Sequence, residues 1–574
     1  MQKFPKENFF FLFFAVQFLL LQNIFPQDNR ETRAVWVSTN FRLDWPPPTF
    51  DQEKQKQSLI KIFDDIKSKN LNTVYFQVRS NGTVLFNSSF EAVSSYLTGK
   101  IGVIGAYDPL AFAIEQAHKR GLEIHAWINT VLCFAGAETS TLNDSNHIFM
   151  RKPEWVVEDN REGNKSYWLD PGLPEVREYL SDLIEEMIQN YDVDGVQLDF
   201  IRYPGKNFGD DFSYNVYGSG IPKDDWRRNN ITTLIELAYK KIKAVKPVVK
   251  VGAAPIGVYK NHKGMYGWEG YSEIYQDSRE WLRRGILDYV APQIYWSFDE
   301  NTSFDLLAKE WVEYSYGRNV VLGIGAYKEN VMNDIEKMID YSRTINASGI
   351  AFFRYGNIRD YQFKNFRNKT YPAEMAWLDG IKPEPPQFLS VEKNNADENL
   401  FSLHWQVNEN NSNDSIKYFA LYNLPHAASE ILPDYLFDLI PSDKNSITLG
   451  IEKPKKNNYY FTLRSVSKLW NESIETSNVV EVNFPELNLL AGVDDVFTNP
   501  VLIKEKENKA KILIYSKLDE EIEISGFDSN GNRSTAKAKL RAGKNILALQ
   551  LQFAELSLLK IKYLISGKEV ELKL

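Results

Sequence analysis

The sequence predicts an α/β chain: a (β/α)8 barrel of TIM type followed by two all-β sandwich modules. Three observations carry this expectation. From about residue 30 to 380, eight short runs rich in β-branched and aromatic residues alternate with longer segments of helical period. A proline-rich joint, Lys382 to Gln387 (KPEPPQ), ends that pattern, and beyond it the periodicity becomes alternating. Eight βα units over about 350 residues suit a barrel with enlarged loops, whose active site would sit at the C-terminal ends of the strands. No GxGxxG or GxxxxGK turn follows the first strand, so a doubly wound nucleotide-binding sheet loses support.

The strands are read in order as Thr32 to Ser38, Asn72 to Arg79, Leu122 to Ile128, Asp194 to Phe200, Val249 to Pro255, Asp288 to Tyr295, Val320 to Ile324 and Gly349 to Arg354. Helices are expected over Gln52 to Lys69, Pro109 to Lys119, Pro174 to Gln189, Asn229 to Lys246, Tyr271 to Arg283, Ser303 to Tyr314 and Glu329 to Ile345. Asp108 before Pro109 reads as an N-cap with proline at the first helical position, Gly121 closes that helix, and Pro174 opens the next in the same way. The barrel is assigned to residues 28–382.

Residues 383–485 carry alternating runs (Leu400 to Val407, Ile416 to Tyr422, Tyr459 to Val466, Val479 to Phe484) and resemble a fibronectin type III module. Trp405 stands at the core tryptophan and Tyr459 at the corner tyrosine of that pattern. Residues 486–574 read as a second all-β unit with Lys511 to Tyr515, Glu521 to Ser525, Ile546 to Leu551 and Leu558 to Leu564. Turns are expected at Ser529 to Asn532 (SNGN) and Arg541 to Lys544 (RAGK).

Composition narrows the function. Lys plus Arg number 67 and Asp plus Glu 76, giving 67 − 76 = −9, so no basic face for nucleic acid is implied. Cys133 is the single cysteine, so an exported form would be held by its core without a disulfide. Export is expected: Lys3 and Lys6 precede an apolar run from Phe9 to Leu21 that is short of a membrane span. Residues 1–27 therefore read as a signal peptide or N-terminal anchor of a periplasmic, cell-envelope or secreted protein. Six scattered histidines without an HExxH pair, and the lack of a GxSxG elbow, argue against a zinc or serine hydrolase; no metal or cofactor is expected.

The densest chemical cluster is Tyr191 to Pro204, YDVDGVQLDFIRYP. It places Asp199 at the C-terminal end of the fourth strand, Gln197 on the same face and Arg202 in the loop. Asp199 is read as a catalytic carboxylate held by Arg202, or as half of a structural ion pair. Other strand ends are polar and aromatic too: Gln77 and Arg79; His125, Trp127 and Asn129; Gln293, Tyr295 and Trp296; Arg354 and Tyr355. Polar groups beside aromatic faces suit a sugar, whose hydroxyls take hydrogen bonds and whose C–H faces lie on rings. Eleven of the 13 tryptophans fall in the barrel, which places the aromatic excess where such a glycan would lie.

These segments resemble glycosyl-hydrolase-like family 10. The similarity runs in order through ETRAVWVSTNFRLDWP (Glu31 to Pro46), NTVYFQVRSNGTVLFNSSFEAVSSYLTG (Asn72 to Gly99), YDPLAFAIEQAHKRGLEIHAWIN (Tyr107 to Asn129), YWLDPGLPEVREYL (Tyr167 to Leu180), YDVDGVQLDFIRYP and DYVAPQIYW (Asp288 to Trp296). The resemblance implies an exported bacterial glycosidase-like barrel acting on polysaccharide, with some relatives cleaving peptidoglycan strands stripped of peptides and often carrying a fibronectin-like module. Two departures stand out. Asp199 is followed by Phe200 where many members have a second aspartate, and a Glu-Pro-Trp-Ser element appears as Glu91, Ala92, Val93 and Ser94.

Glycoside hydrolysis usually needs two carboxyl groups, about 5 Å apart for retention or about 6.5–9.5 Å for inversion. Asp199 is the first; Glu91, Asp170 and Asp299 are candidates for the second. Asp170 could equally organise the turn before Pro171, Asp299 be solvated, and Glu91 be a rim charge. Arg79, His125, Asn129, Gln197, Arg202, Gln293, Tyr295 and Arg354 are expected to orient sugar, with Trp127 and Trp296 stacking on it. The rival reading is a non-catalytic carbohydrate-binding or cell-envelope scaffold on a degenerate barrel.

Overall fold

The computed structural model describes residues 22–24 and 30–484 apart from 137–138, 162–163, 263, 379–381, 394–399, 412–415 and 452–457. It also describes 501–573 apart from 505–508, 517–519, 529–532, 541–542, 551–555 and 565–568. The apolar run at 9–21, the SNGN turn and the first half of the RAGK turn lie outside the described residues. Arg30–Leu490 forms one compact unit; Met1–Asn29 and Ala491–Leu574 form another.

Eight strands build the barrel of the first unit: β1 (Thr32–Val37), β2 (Thr73–Ser80), β3 (Glu123–Asn129), β4 (Gly195–Asp199), β5 (Lys250–Ala253), β6 (Tyr289–Val290 and Gln293–Ile294), β7 (Asn319–Ile324) and β8 (Gly349–Phe352). Each pairs in parallel with the next, and β8 returns to β1, so the sheet closes into a barrel. Both faces of every strand are covered, which explains their nearly unbroken apolar runs. Pro292, which has no N–H for the ladder, separates the two segments of β6 that the sequence suggested as one.

The barrel interior is filled by side chains. Across neighbouring strands Gln77 pairs with Trp127, Trp127 with Gln197, Gln197 with Gly252 and Gly252 with Tyr289, so these residues share one level. Glycine makes room there: a Cβ on Gly195 would lie 2.6 Å from the His125 ring, and one on Gly252 would lie 2.1 Å from the Tyr289 ring.

The surrounding helices follow their sequence signals with two instructive exceptions. Asp51 and Asp108 cap Gln52–Ser68 and Pro109–His118 through their side chains. The segment expected as one helix from Tyr271 instead forms Gly270–Glu273 and Ser278–Arg283, interrupted by Tyr275 at φ 63°. Tyr275 is held there by its hydroxyl, which donates to Asp224 (2.9 Å) and accepts from Arg227 (2.9 Å). The helix expected over Glu329 to Ile345 breaks at Asp334 into Glu329–Asn333 and Ile335–Thr344.

Residues 387–483 form two small antiparallel sheets, of three strands (Gln387–Lys393, Leu400–Gln406, Ser446–Gly450) and four (Leu436–Pro441, Tyr418–Leu424, Asn458–Val466, Val480–Asn483). Both feed one apolar cluster that includes Leu403, Trp405, Phe419 and Phe461. This region rests on the N-terminal face of the barrel, remote from the strand ends that carry Asp199. Trp470 Nε1 donates to Glu123 Oε1 (2.6 Å), which also pairs with Lys250; Lys417 pairs with Asp194, whose other oxygen is 2.9 Å from His118 Nε2. Burial alone would raise both carboxyls, but Lys250 and Lys417 hold them below their ordinary range.

The sequence does not signal this floor, because Glu123 and Asp194 read there as ordinary strand starts. Lys417→Ala leaves Asp194 with His118 and the Ile124 N–H, so it is expected to cost about 1–3 kcal/mol. Denaturant unfolding of the full chain checks this, with glycan chemistry at the opposite face unchanged.

The second unit contains two antiparallel four-stranded sheets. One joins Gln22–Ile24, Gly543–Gln550, Lys509–Ser516 and Val501–Lys504; the other joins Arg533–Leu540, Glu520–Asp528, Leu556–Tyr563 and Glu569–Lys573. They share a core of Ile512, Ile514, Ile522, Ile524, Leu559 and Ile561. Among the described residues no helix is long and apolar enough to cross a membrane.

Candidate active site at the mouth of the barrel

Asp199 ends β4 and is 8 % exposed. Three donors converge on its carboxylate: Phe200 N (2.7 Å) and Gln293 Nε2 (3.3 Å) on Oδ1, and Trp127 Nε1 (3.1 Å) on Oδ2. Burial pushes its pKa up to about 6, while these hydrogen bonds and the Arg202 charge oppose the rise. The donor set favours the ionised form, and a carboxyl poised near neutral pH suits proton transfer or nucleophilic attack. Phe200, the residue after it, sits at φ 47°, in the left-handed region that costs a non-glycine residue roughly 1–3 kcal/mol. That turn aims its N–H at Asp199.

Trp127 is therefore a support for Asp199 as well as a ring. Trp127→Phe removes one bond that favours the carboxylate, so the acid limb of a pH–rate profile is expected to move to higher pH with little change in fold. Comparing kcat/KM profiles of the two proteins checks the shift.

Arg202 forms no ion pair with Asp199 within 4 Å among the described residues. Its guanidinium lies among three rings, 4.9 Å from Trp168, 5.1 Å from Phe200 and 4.8 Å from Trp268, and Nη1 donates to Tyr203 O (3.2 Å). Loss of solvent lowers its pKa to about 10, so it stays charged. Gln293 also donates to Ala254 O (3.1 Å), which fixes its amide between β5 and Asp199. Tyr295 is half-buried against Phe353 (5.7 Å) and Tyr327 (5.9 Å); burial and the Asp199 charge push its hydroxyl well above the ordinary range. Trp296 is half-buried, with Lys328 Nζ 5.8 Å from its ring centroid.

Several residues expected at the mouth lie elsewhere. A bulge in β2 opposes Gln77 to Trp127 and then Arg79 to Ile128, which turns Arg79 to the outer face. There Arg79 makes a buried bidentate pair with Glu91 (2.8 and 2.6 Å) and donates to Thr130 O (2.9 Å) and Asn129 O. Glu91 is thus spoken for and away from solvent. Asp170 accepts from Gly172 N (2.8 Å) and Ser213 Oγ (2.6 Å), the turn-organising role; burial raises its pKa. Asp299 is exposed.

His125 is a satisfied interior histidine, 2.7 Å from the Tyr289 hydroxyl and 3.3 Å from Glu123. Gln197 is fully buried, and its Oε1 accepts from Trp36 Nε1 (2.6 Å). Asn129 Oδ1 accepts from Gln77 Nε2 (3.1 Å), and Arg354 pairs with buried Asp44, so both shape loops at the mouth. The structure adds Trp36, Phe353, Trp168, Trp268 and Tyr327 to the surroundings of Asp199. Trp36 and Phe353 fall within the runs read from the sequence as the first and eighth strands, and Trp168 lies on a further strand, Asn164–Leu169, whereas Trp268 and Tyr327 come from loops without period. Among the described residues no group of three or more His, Cys, Asp or Glu side chains is placed to hold a metal ion.

A buried, pKa-raised carboxylate at a barrel strand end, surrounded by rings and amides, is the chemistry of a sugar-processing site. The glycosyl hydrolase-like 10 family matches residues 31–343, and the chain belongs to that family. It is a glycoside hydrolase. It is 36 % identical over 335 residues to glycosyl hydrolase DigH of Escherichia coli K12, covering 54 % of this chain and 76 % of that one. It is 32 % identical over 483 residues to glycosyl hydrolase YngK of Bacillus subtilis strain 168, covering 78 % and 92 %. Among solved structures, the PgaB (BpsB) glycoside hydrolase domain from Bordetella bronchiseptica aligns at TM-score 0.43 and 13 % identity, covering 58 % of this chain and 99 % of that one.

Proposed function

We propose that the protein is an exported enzyme that hydrolyses glycosidic bonds in a cell-envelope or extracellular polysaccharide, with peptide-free peptidoglycan strands as the first substrate to try. The observation that carries the reading is Asp199, a buried carboxyl whose pKa burial lifts to about 6, held by Trp127, Gln293 and the Phe200 N–H. In this reading the C1–O bond breaks, water supplies the hydroxyl to C1 and a proton to the departing oxygen, and Asp199 acts as the carboxylate that activates water or attacks C1. Gln293, Arg202 and Tyr295 supply hydrogen bonds and charge to the hydroxyls, and Trp268, Trp296 and Tyr327 supply faces. Glu91 and Asp170 are engaged in structural bonds, so the acid partner is sought among groups brought in with the substrate or at the rim.

Lys3, Lys6 and the apolar run that follows support export, to the periplasm, envelope or medium. The three-plus-four-strand arrangement of residues 387–483, with Trp405 in its core, supports a fibronectin type III-like sandwich that braces the barrel floor. The second unit is taken as a further β-sandwich.

The test is incubation of the full chain with peptide-free glycan strands and a panel of other polysaccharides, followed by assay of new reducing ends. Release from one of them supports hydrolysis. Tight binding without release from any would favour the carbohydrate-binding alternative; among the described residues no second carboxylate is bonded to Asp199.

A further inference from the structure

The turn after β1 is built at conformational cost to hold one aromatic ring in the open. Phe41 and Arg42 both have φ of 53°, two consecutive non-glycine residues in the left-handed region. Yet Phe41 is 56 % exposed, so burial of its ring does not repay that strain. Polar bonds over-determine the turn instead. Gln77 Oε1 accepts from Thr39 N (3.0 Å) and Asn40 N (2.8 Å), the Tyr96 hydroxyl accepts from Phe41 N (3.2 Å), and Arg42 donates to Tyr96 O (2.8 Å) and Pro47 O (3.1 Å). The ring rests on the backbone of Gly136, where an added Cβ would come within 3.1 Å of it. Strain held by a hydrogen-bonded frame is characteristic of ligand-contacting segments.

The position of this ring in the barrel is informative. In a closed ring of eight strands, β1 and β5 stand opposite each other. The loop after β5 carries Trp268, 45 % exposed and stacked on Arg202 beside Asp199; the loop after β1 carries Phe41. The two exposed rings thus come from loops of different strands and lean over neighbouring strand ends, Phe41 onto Gly136 beyond β3 and Trp268 onto Arg202 beyond β4. Gln77, which clamps the Phe41 turn, also donates to Asn129, the cross-strand neighbour of Asp199.

We propose that Phe41 is a distal sugar-stacking subsite: a pyranose ring several units along the glycan lies with its C–H face on Phe41 while the strand crosses the mouth from the Trp268 side. The substrate class is therefore a polymer that reaches from the Asp199 site to Phe41, not a disaccharide. The proposal rests on the reading of the mouth as the glycan site.

The experiment uses the full chain and peptide-free glycan strands sorted by length, with binding measured by calorimetry and cleavage by reducing-end release. Phe41→Ala is expected to weaken binding and lower kcat/KM about ten-fold for long strands. The shortest strand bound should be unaffected, and Phe41→Trp should retain the wild-type length dependence. If Phe41→Ala matches wild type at every length, the subsite is excluded, whatever the cleavage result. If wild type binds in a Phe41-dependent way but cleaves nothing, the subsite stands and the hydrolase mechanism falls.

Discussion

Asp199→Asn is expected to lower kcat by at least about 10²–10⁴-fold on any glycan the enzyme cleaves, the range for loss of a positioned acid–base group. The substitution keeps the shape of the side chain but removes its charge and replaces one acceptor oxygen with a donor. Trp127 Nε1, Phe200 N and Gln293 Nε2 all donate, so only one oxygen is left to receive them. Glycan affinity should change little, because the rings and Arg202 remain. Stability should change little: the fold no longer carries a charge that burial holds at a pKa of about 6, and this gain offsets the donor that the amide leaves unpaired. Loss of kcat with retained affinity and melting temperature is the pattern expected of a residue that does chemistry.

Glu91→Gln is expected to give the reverse pattern. Arg79 and Glu91 are both almost wholly buried, and the amide would leave the Arg79 guanidinium charged without its counterion. Breaking a buried pair from one side costs about 3–5 kcal/mol. Arg79 also ties down the carbonyls of Asn129 and Thr130, where β3 ends, so the loop beside Asp199 should loosen with it. Denaturant unfolding should show the loss of stability, and activity per folded molecule should fall far less than in Asp199→Asn. An unchanged unfolding curve with abolished kcat would return Glu91 to the catalytic role.

The order of strands and the place of Asp199 were legible because period-two alternation and the turn before Gly195 fix which residue ends β4. Trp127 and Gln293 followed from the same rule, since each lies at a strand end, on β3 and β6, with its side chain reaching Asp199. Arg79 broke the rule because a single extra residue in β2 inverts every side chain beyond it, and a bulge leaves no mark in composition. For His125 the sequence left two readings open, a sugar contact and a satisfied core histidine, for another reason. Gly195 and Gly252 hollow out the barrel enough for an imidazole and a tyrosine to sit inside it, and only the register shows which rings fill that space. Trp268 and Phe41 were illegible as site residues because they lie in loops, where neither period nor spacing tells an exposed ring from a buried one. The floor was illegible as well: Lys417 and Trp470 are 223 and 347 residues away in sequence from the partners they contact, Asp194 and Glu123.

The most direct measurement is the pH dependence of kcat/KM for the wild-type chain on a glycan it cleaves. If the ionised Asp199 carboxylate does the chemistry, activity rises with pH along an acid limb whose midpoint lies near 6. A profile flat from pH 5 to 7, or one that falls through that range, would contradict the role assigned to Asp199.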